Sequence, residues 1–319
     1  LFLLLALSLP GHATCTKATA SSASTLTVLG IHNLAAAAVM VASFGGLALY
    51  RMGLSTLAQT LMVSASRCAI QVFVLGSVVL QHLLGTTHPW LVGFWIASVG
   101  LIAAKEAFSR VQYTYHHMRR HVYVSVLTGA LSVLATALLL SVFGRLSPWY
   151  QPRTLIPLAG MLFGNTLTAA ALAASGITRQ FATQQEMVEW RLVRGATAQE
   201  AILPLVQETM STALTPTLNG LAVTGIVHIP GMMTGQILAG QSPPQAAAYQ
   251  IVTSFLIATT ACATVQLLVH RATSSLVDHT NHRLYGGRLT SKEQARTQPT
   301  SSNTFKWNKK LLASIRRLF

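Results

Sequence analysis

"IPGMMTGQILAGQSPPQAAAYQ", residues 229–250, decides what kind of molecule this chain is. The stretch carries no charge, yet Pro230, Gly231, Gly235, Gly240, Pro243 and Pro244 interrupt it, and apolar segments flank it on both sides. Proline removes a backbone donor and glycine loosens the chain, so one regular helix does not run through it. It is also too apolar for a loop in water. Inside a membrane, broken backbone is tolerated where protein covers it or where it lines a watery cavity. The stretch therefore reads as the outer end of two spans, with room to re-enter the membrane.

The composition agrees. Of 319 residues, 51% are hydrophobic and 9% charged, against roughly 25% charged in soluble domains. The net charge of +15 would suit nucleic acid, but the basic residues fall between and after apolar runs. That is the pattern of basic cytoplasmic loops, so no nucleic-acid partner is expected. Cys15, Cys68 and Cys262 lie far apart with no CxxC or metal-ligand spacing, and read as small buried residues. The opening "LFLLLALSLPGHATC" looks like the apolar core of a secretory signal peptide, with a cut after Ala13 or Ala20, which sets residues 1–20 apart.

A span needs ~20 apolar residues. Candidates run at 28–50, 67–84, 89–104, 122–143, 154–175, 213–228 and 249–269, an all-α membrane domain of about seven transmembrane helices over 28–269. Lys105, Arg110, Arg119 and Arg120 follow the third span, Arg179, Arg191 and Arg194 the fifth, and Arg271, Arg283, Arg288 and Lys292 the last. Residues 85–88 and 229–248 hold no Lys or Arg. This bias predicts an N-terminus outside and a basic C-terminal tail, 270–319, in the cytoplasm. All seven acidic residues fall on that cytoplasmic side. The tail reads as flexible from Tyr285 onward. Its end, "FKWNKKLLASIRRLF" (305–319), sets Phe305, Trp307, Leu311, Leu312, Ile315 and Phe319 apart from Lys309, Lys310, Arg316 and Arg317, an amphipathic helix for anionic membrane lipid.

One long polar segment, 176–212, separates the fifth and sixth spans. Glu186, Glu189, Arg191 and Arg194 share it with an apolar side of Met187, Trp190, Leu192 and Val193. Gly195 interrupts, and Glu200, Ala201, Ile202, Leu205 and Val206 form a second helical stretch. A helix, a glycine turn and a helix make a knob for a cleft on another protein; the other reading is a helix lying on the membrane surface. Glu189 stands six residues before Gly195, and an apolar "AILP" ends at Pro204. This resembles the coupling loop of ATP-binding-cassette (ABC) permeases.

Four stretches carry a more specific resemblance: "SRCAIQVFVLGSVVL" (66–80), "IPLAGMLFGNTLTAAAL" (156–172), "EMVEWRLVRGATAQEA" (186–201) and "IPGMMTGQILAGQSPPQAAAYQI" (229–251). In order and content they resemble the FetB-like iron-export permease family, which includes the plant aluminium-sensitivity, STAR-type, ABC permeases. The likeness runs from about residue 47 to 269. It implies a permease paired with a separate cytoplasmic ABC ATPase subunit and with a second permease copy. Glu186, Glu189, Gly195, Glu200 and Ala201 would then couple to the ATPase, and ATP and Mg would be bound by that partner. The chain itself holds no GxxxxGK[ST] loop, nucleophile elbow or zinc signature. It reads as no enzyme and as holding no cofactor of its own.

A substrate path would use the thioethers of Met232 and Met233 and the amide of Gln236, with Met161 and Asn165 approaching from the fifth span. Thioethers favour soft metals, so this chemistry does not itself point to iron, and methionines also fill irregular gaps. Gly160-x-x-x-Gly164 and Gly231-x-x-x-Gly235 permit close helix approach within a chain or between two. Pro230, Gly240 and Pro243 shape the break. Arg67 and Gln71 lie one turn apart at the expected entrance of the second span, where the arginine would snorkel to the interface or gate. His116, His117 and His121, beside Arg119 and Arg120, read as polar surface rather than a metal site. The expected function is an ABC permease subunit moving an iron-like metal ion out of the cytoplasm. A nucleotide-sugar (UDP-glucose) permease is the alternative within that class, and a seven-span receptor or stand-alone channel the alternatives outside it.

Overall fold

The computed structural model describes residues 31–80, 85, 88–143, 150–278, 283–284 and 290–291. The signal-like start and the amphipathic end at 305–319 lie outside the described residues. Among the described residues the fold is all-α apart from four two-residue strands, and the chain divides between Gln81 and His82 into two units.

The first unit is a helical hairpin. Helix α1 (Ile31–Met40) passes through a π-helical turn, Val41–Leu47, into α2 (Ala48–Arg51). Helix α3 (Ser55–Val74) returns and continues as a second π-helical turn, Leu75–Leu80. The strands of the hairpin meet at Gly45 and Gly46. A Cβ on Gly45 would stand 2.7 Å from Leu61 Cδ2, so a larger residue here requires the leucine side chain to shift. None of the apolar window of Ser55–Ser77 is buried within the unit, and Phe44, Ile70 and Phe73 point outward. Such a surface suits lipid.

Helix α3 starts about three turns before Arg67, which corrects the expected entrance. Arg67 and Gln71 lie in mid-helix. The polar residues ahead of them continue the helix, with the hydroxyls of Thr60 and Ser66 satisfied by their own backbone. Thr60 Oγ1 donates to the Thr56 carbonyl at 2.8 Å and Ser66 Oγ to that of Val63 at 2.9 Å.

The second unit is a bundle. Its elements are α4 (Pro89–Ser109), β1 (Tyr113–Thr114), α5 (Met118–Leu139), α6 (Pro152–Thr183), α7 (Gln185–Val193), α8 (Ala198–Val223), α9 (Gly231–Leu238), α10 (Pro243–Leu276), β2 (Val277–Asp278), β3 (Arg283–Leu284) and β4 (Thr290–Ser291). Helix α6 is central and packs on α4, α5, α8 and α10. Its Leu162, Phe163 and Ile177 are buried with Val122 and Val126 of α5 and Val265 and Leu268 of α10. The outer faces are apolar too: Trp90, Phe94, Ile102, Leu139 and Phe255 are exposed. With 32 and 34 residues, α6 and α10 are about 48 and 51 Å long and outreach a hydrocarbon layer of about 30 Å.

Among the described residues, five helices are long and apolar enough to cross a membrane: Ser55–Ser77, Pro89–Ser109, Met118–Leu139, Pro152–Thr183 and Pro243–Leu276. The first expected span corresponds to the shorter apolar helix Ala36–Arg51. The sixth corresponds to α8, which falls outside the five and carries Gln207, Glu208, Ser211, Thr215, Thr217 and Asn219. Helix α8 begins well before the expected 213 and ends at Val223 rather than 228. Pro204 and Pro216 lie inside it and bound neither segment.

The closest crossing within the bundle was not read from spacing. A Cβ on Gly129 of α5 would collide with Thr264 of α10, whose Cα stands only 3.1 Å away. Gly160, Gly164, Gly231 and Gly235, the four glycines singled out by their spacing, have nothing within 4 Å of a built Cβ. The tail also departs from expectation: beyond Tyr285, Thr290 and Ser291 pair antiparallel with Thr114 and Tyr113, each short strand satisfying the other's backbone.

Candidate functional site

The polar segment between α6 and α8 folds as a knob. Helix α7 ends in a Schellman turn: Gly195 N–H donates to Leu192 at 3.0 Å and Ala196 N–H to Arg191 at 3.1 Å. Gly195 sits at φ +92, the left-handed region that glycine tolerates best. Thr197 then caps α8. Its hydroxyl accepts from Glu200 N–H, and its backbone N–H donates to Glu200 Oε2 at 2.9 Å, a reciprocal capping box. Across the turn, Arg191 Nη1 donates to the Ala201 carbonyl at 3.0 Å, tying α7 to the first turns of α8.

The expected apolar side of α7 is turned around. Val188 is the anchor, at 0% exposure, joined by Ala198, Ala201, Ile202 and Leu205 of α8. Met187, Trp190 and Val193 face outward at 49%, 50% and 86%, and the Arg194 guanidinium lies 3.7 Å from the centre of the Trp190 ring. Glu186 and Glu189 are exposed beside them, Glu189 accepting from Gln185 at 2.8 Å. A single helix face cannot bury both sets, and the short Val188 is the one that fits against the neighbouring helix. What remains outside is an apolar ridge bordered by charge.

Glu200 is held below the usual carboxylate range, first by the Thr197 backbone N–H and then by its hydroxyl. A carboxylate lowered in this way supports the helix start above its ordinary pKa, and the support fades as pH falls through the folded-state value. Protection of the amides at residues 200–201, taken relative to their intrinsic exchange rates, should therefore be constant near neutrality and decline in acid as pH falls from the ordinary carboxylate range through the folded-state value. Thr197→Ala should cost the helix start about 1 kcal/mol and weaken that pH dependence without abolishing it, because alanine keeps the backbone N–H on Glu200. An unchanged acid response in the variant would show that the cap is not its source.

At the far end of α8, the broken stretch folds back on itself. After an exposed turn at Gly225, α9 runs from Gly231 and ends in a second Schellman turn at Gly240, φ +91. There Gly240 N–H donates to Ile237 and Gln241 N–H to Gln236, each at 3.0 Å. Pro243 starts α10 at its first turn, where a missing N–H costs nothing. The prolines and glycines thus punctuate a helical hairpin, with α9 packed along α10. On their facing sides the Thr253 hydroxyl lies 3.9 Å from Met232 Sδ while bonding the Tyr249 carbonyl. Gln236 Oε1 and Gln250 Oε1 are both buried and meet no donor among the described residues. Met232 and Thr253 meet across the hairpin, and the orphaned oxygens belong to Gln236 and Gln250, one turn along α9 and α10 from them, an acceptor-rich set of the kind that takes a cation or an ordered water.

Met161 and Asn165 are not part of that set. Asn165 is exposed on α6 and spends its amide on the Met161 carbonyl at 2.9 Å. With Gly160 and Gly164 it forms an open stripe. Met233 is half-buried on α9, next to Met232. The histidines are divided between two contacts: His116 and His117 bond each other at 2.9 Å, and His121 Nδ1 meets the Tyr115 hydroxyl at 2.9 Å. Burial pushes that phenol well above its ordinary pKa.

Apolar-faced long helices, with a polar knob and a punctuated hairpin at the two ends of α8, define a helical integral membrane protein. The chain belongs to the UPF0014 family, described as an uncharacterised protein family, whose model matches residues 31–277. Among its relatives, Protein ALUMINUM SENSITIVE 3 of Arabidopsis thaliana is 32% identical over 221 residues, 68% of this chain and 77% of that protein. The Probable iron export permease protein FetB of Escherichia coli is 29% identical over 205 residues, 64% of this chain and 76% of that one. A UPF0014 membrane protein of Synechocystis is 33% identical over 197 residues, 62% and 75% of the two chains. No solved structure matches.

Proposed function

We propose that this chain is the membrane subunit of an ABC-type exporter, driven by a separate ATPase that binds ATP and Mg, and that it moves a metal ion out of the cytoplasm. The observation that carries the reading is the knob. Its outward ridge of Met187, Trp190 and Val193 is the kind of apolar, aromatic surface that seats in a partner's cleft. The knob is tied by Arg191 to α8, a helix about 39 Å long. Movement imposed on the ridge would reach α9 and α10 through that helix. Glu186 and Glu189, exposed beside the ridge, would orient the partner.

The metal is the finer part of the proposal, supported by the names of the iron-export and aluminium-sensitivity relatives. Met232, Thr253, Gln236 and Gln250 would take the ion with their oxygen and sulfur acceptors. The open stripe of Gly160 and Gly164 would let a second copy approach closely.

The test is gentle detergent extraction from native membranes, followed by capture of the chain and an assay of ATP hydrolysis. Wild type should retain an ATPase, and Trp190→Glu should cut its recovery at least about tenfold. Met232→Leu with Gln236→Leu should keep the ATPase but lose stimulation by iron(II). A wild-type sample without ATPase, under conditions that preserve complexes, would overturn the exporter reading.

A further inference from the structure

The acceptors of the α9–α10 hairpin are all uncharged. Met232 Sδ and the Thr253 hydroxyl lie 3.9 Å apart, and that hydroxyl donates to the Tyr249 carbonyl at 2.9 Å. Toward the turn of the hairpin, four residues along α9 and three back along α10 rise about 6 and 4.5 Å. Those steps bring Gln236 and Gln250 to nearly one level. Gln250 Nε2 donates to Ser254 Oγ at 3.1 Å, so the amide is held by its nitrogen and its oxygen is left over. The Oε1 atoms of both glutamines are buried and accept no hydrogen bond among the described residues. A buried amide oxygen without a donor is costly, and a cation would remove that cost at both.

No carboxylate is at hand to share the charge of such a cation. Residues 1–105 hold no Asp or Glu, and neither do 107–185 or 209–277. The first unit and helices α5, α6, α9 and α10 are therefore free of them. Glu208 stands about 22 Å before the end of α8 at Val223. Asp278 follows Leu276, the last residue of α10, which is already about 39 Å from Gln250. A charge closer by is positive: Arg153 precedes Thr154, which bonds the side chain of Tyr249, the residue before Gln250. No trio of His, Cys, Asp or Glu that could hold a metal ion comes together among the described residues. Neutral donors are what these helices offer.

Neutral donors discriminate by charge. Drawing an ion out of water costs free energy as the square of its charge, whereas the attraction of fixed dipoles rises only in proportion to it. Each added charge therefore tips the balance back toward water. Paired carboxylates offset that cost where a highly charged ion is buried; here none does. The thioether narrows the choice further, since sulfur favours soft ions over hard ones of equal charge. We infer that the hairpin is a charge filter. It admits a soft or borderline metal ion of low charge, such as iron(II) or copper(I), and excludes trivalent ions such as iron(III) and aluminium(III). The inference rests on the reading of this hairpin as part of a metal path and deepens it, by fixing the charge at which the ion is carried.

The test is equilibrium dialysis of the full chain in phosphatidylcholine nanodiscs against radiolabelled iron(II), kept reduced by ascorbate under argon. Wild type should bind it saturably. Copper(I) should displace it, and gallium(III), a trivalent ion that ascorbate does not reduce, should fail to do so even in large excess. Met232→Leu with Gln236→Leu should weaken iron(II) binding at least about tenfold. Gln236→Glu, of nearly the same shape, should let gallium(III) compete at least about tenfold better than in wild type. Gln250→Glu on the facing helix repeats that switch if Gln236→Glu lowers the thermal midpoint. Iron(II) held through Met232 and Gln236 but displaced as readily by gallium(III) as by copper(I) overturns the filter and leaves the metal path standing. Folded carboxylate variants that take gallium(III) no better than wild type overturn the filter as well. Iron(II) binding that the double leucine variant leaves unchanged overturns the site. No binding by wild type overturns both filter and metal path, and assigns the buried oxygens to ordered water. Because no ATPase is present, each of these outcomes is independent of whether the knob captures one.

Discussion

Gly129→Val should lower the thermal midpoint of the detergent-purified chain sharply, whereas Gly160→Ala should leave it unchanged or raise it slightly. Gly129 lies where α5 crosses α10, and a side chain there meets the Cα of Thr264 at 3.1 Å, a backbone atom that cannot rotate away. The helices must separate, and overpacking of this kind costs about 1–3 kcal/mol or more. Gly160 faces open space. Thr264→Ala supplies the cross-check. Its hydroxyl has no hydrogen-bond partner among the described residues, so removing it sacrifices no bond and makes room. Combined with Gly129→Ala it should recover part of the loss, an interaction visible in a double-mutant cycle. Strictly additive effects would mean that the crossing is not where the strain arises.

Gly195→Val should leave that thermal midpoint nearly unchanged and yet reduce ATPase recovery on the captured chain at least about tenfold. At φ +92 a β-branched residue is strained by roughly 1–3 kcal/mol, enough to undo a turn that holds a nine-residue helix but small against the whole bundle. The expected result is a loosened α7, its Met187–Trp190–Val193 ridge no longer presented in one orientation, above an intact bundle. Gly195→Asn, which tolerates the left-handed region better, should retain most of the recovery. If valine lowers the midpoint as much as it lowers recovery, the turn is holding the bundle together and not the ridge.

The apolar helices were legible because lipid imposes a length and a composition that survive without tertiary knowledge. The polar start of α3 was not, since Thr56, Thr60, Ser64 and Ser66 look like a loop until the hydroxyls of Thr60 and Ser66 are seen to bond the backbone of their own helix. Periodicity identified α7 as two-sided but could not say which side is inward; Val188 won over Trp190 because the space beside α8 is small. Spacing alone nominated Gly160, Gly164, Gly231 and Gly235, while Gly129, with no partner glycine four residues away, makes the tight crossing. A pairwise contact between distant segments leaves no local trace. By contrast, Thr197-Ala-Gln-Glu200 is a purely local cap signal, and it marks the start of α8 more sharply than Gly195 marks the end of α7. That the side-chain oxygens of Gln236 and Gln250 are each buried without a donor depended on the fold-back of α9, which the prolines and glycines announced without fixing its register.

Pro204 and Pro216, both inside α8, have a mechanical consequence. Each lacks the N–H that would close on the carbonyl four residues earlier, those of Glu200 and Thr212, so the helix is missing two of its internal ties. Rods with such gaps flex at them and stay stiff between. A tilt of about 10° at Pro204 swings the Val223 end, about 29 Å further on, through about 5 Å. That is close to a full helical turn, produced by an angle small enough to disturb little at the base. Leverage of this kind turns a shallow push into a long stroke.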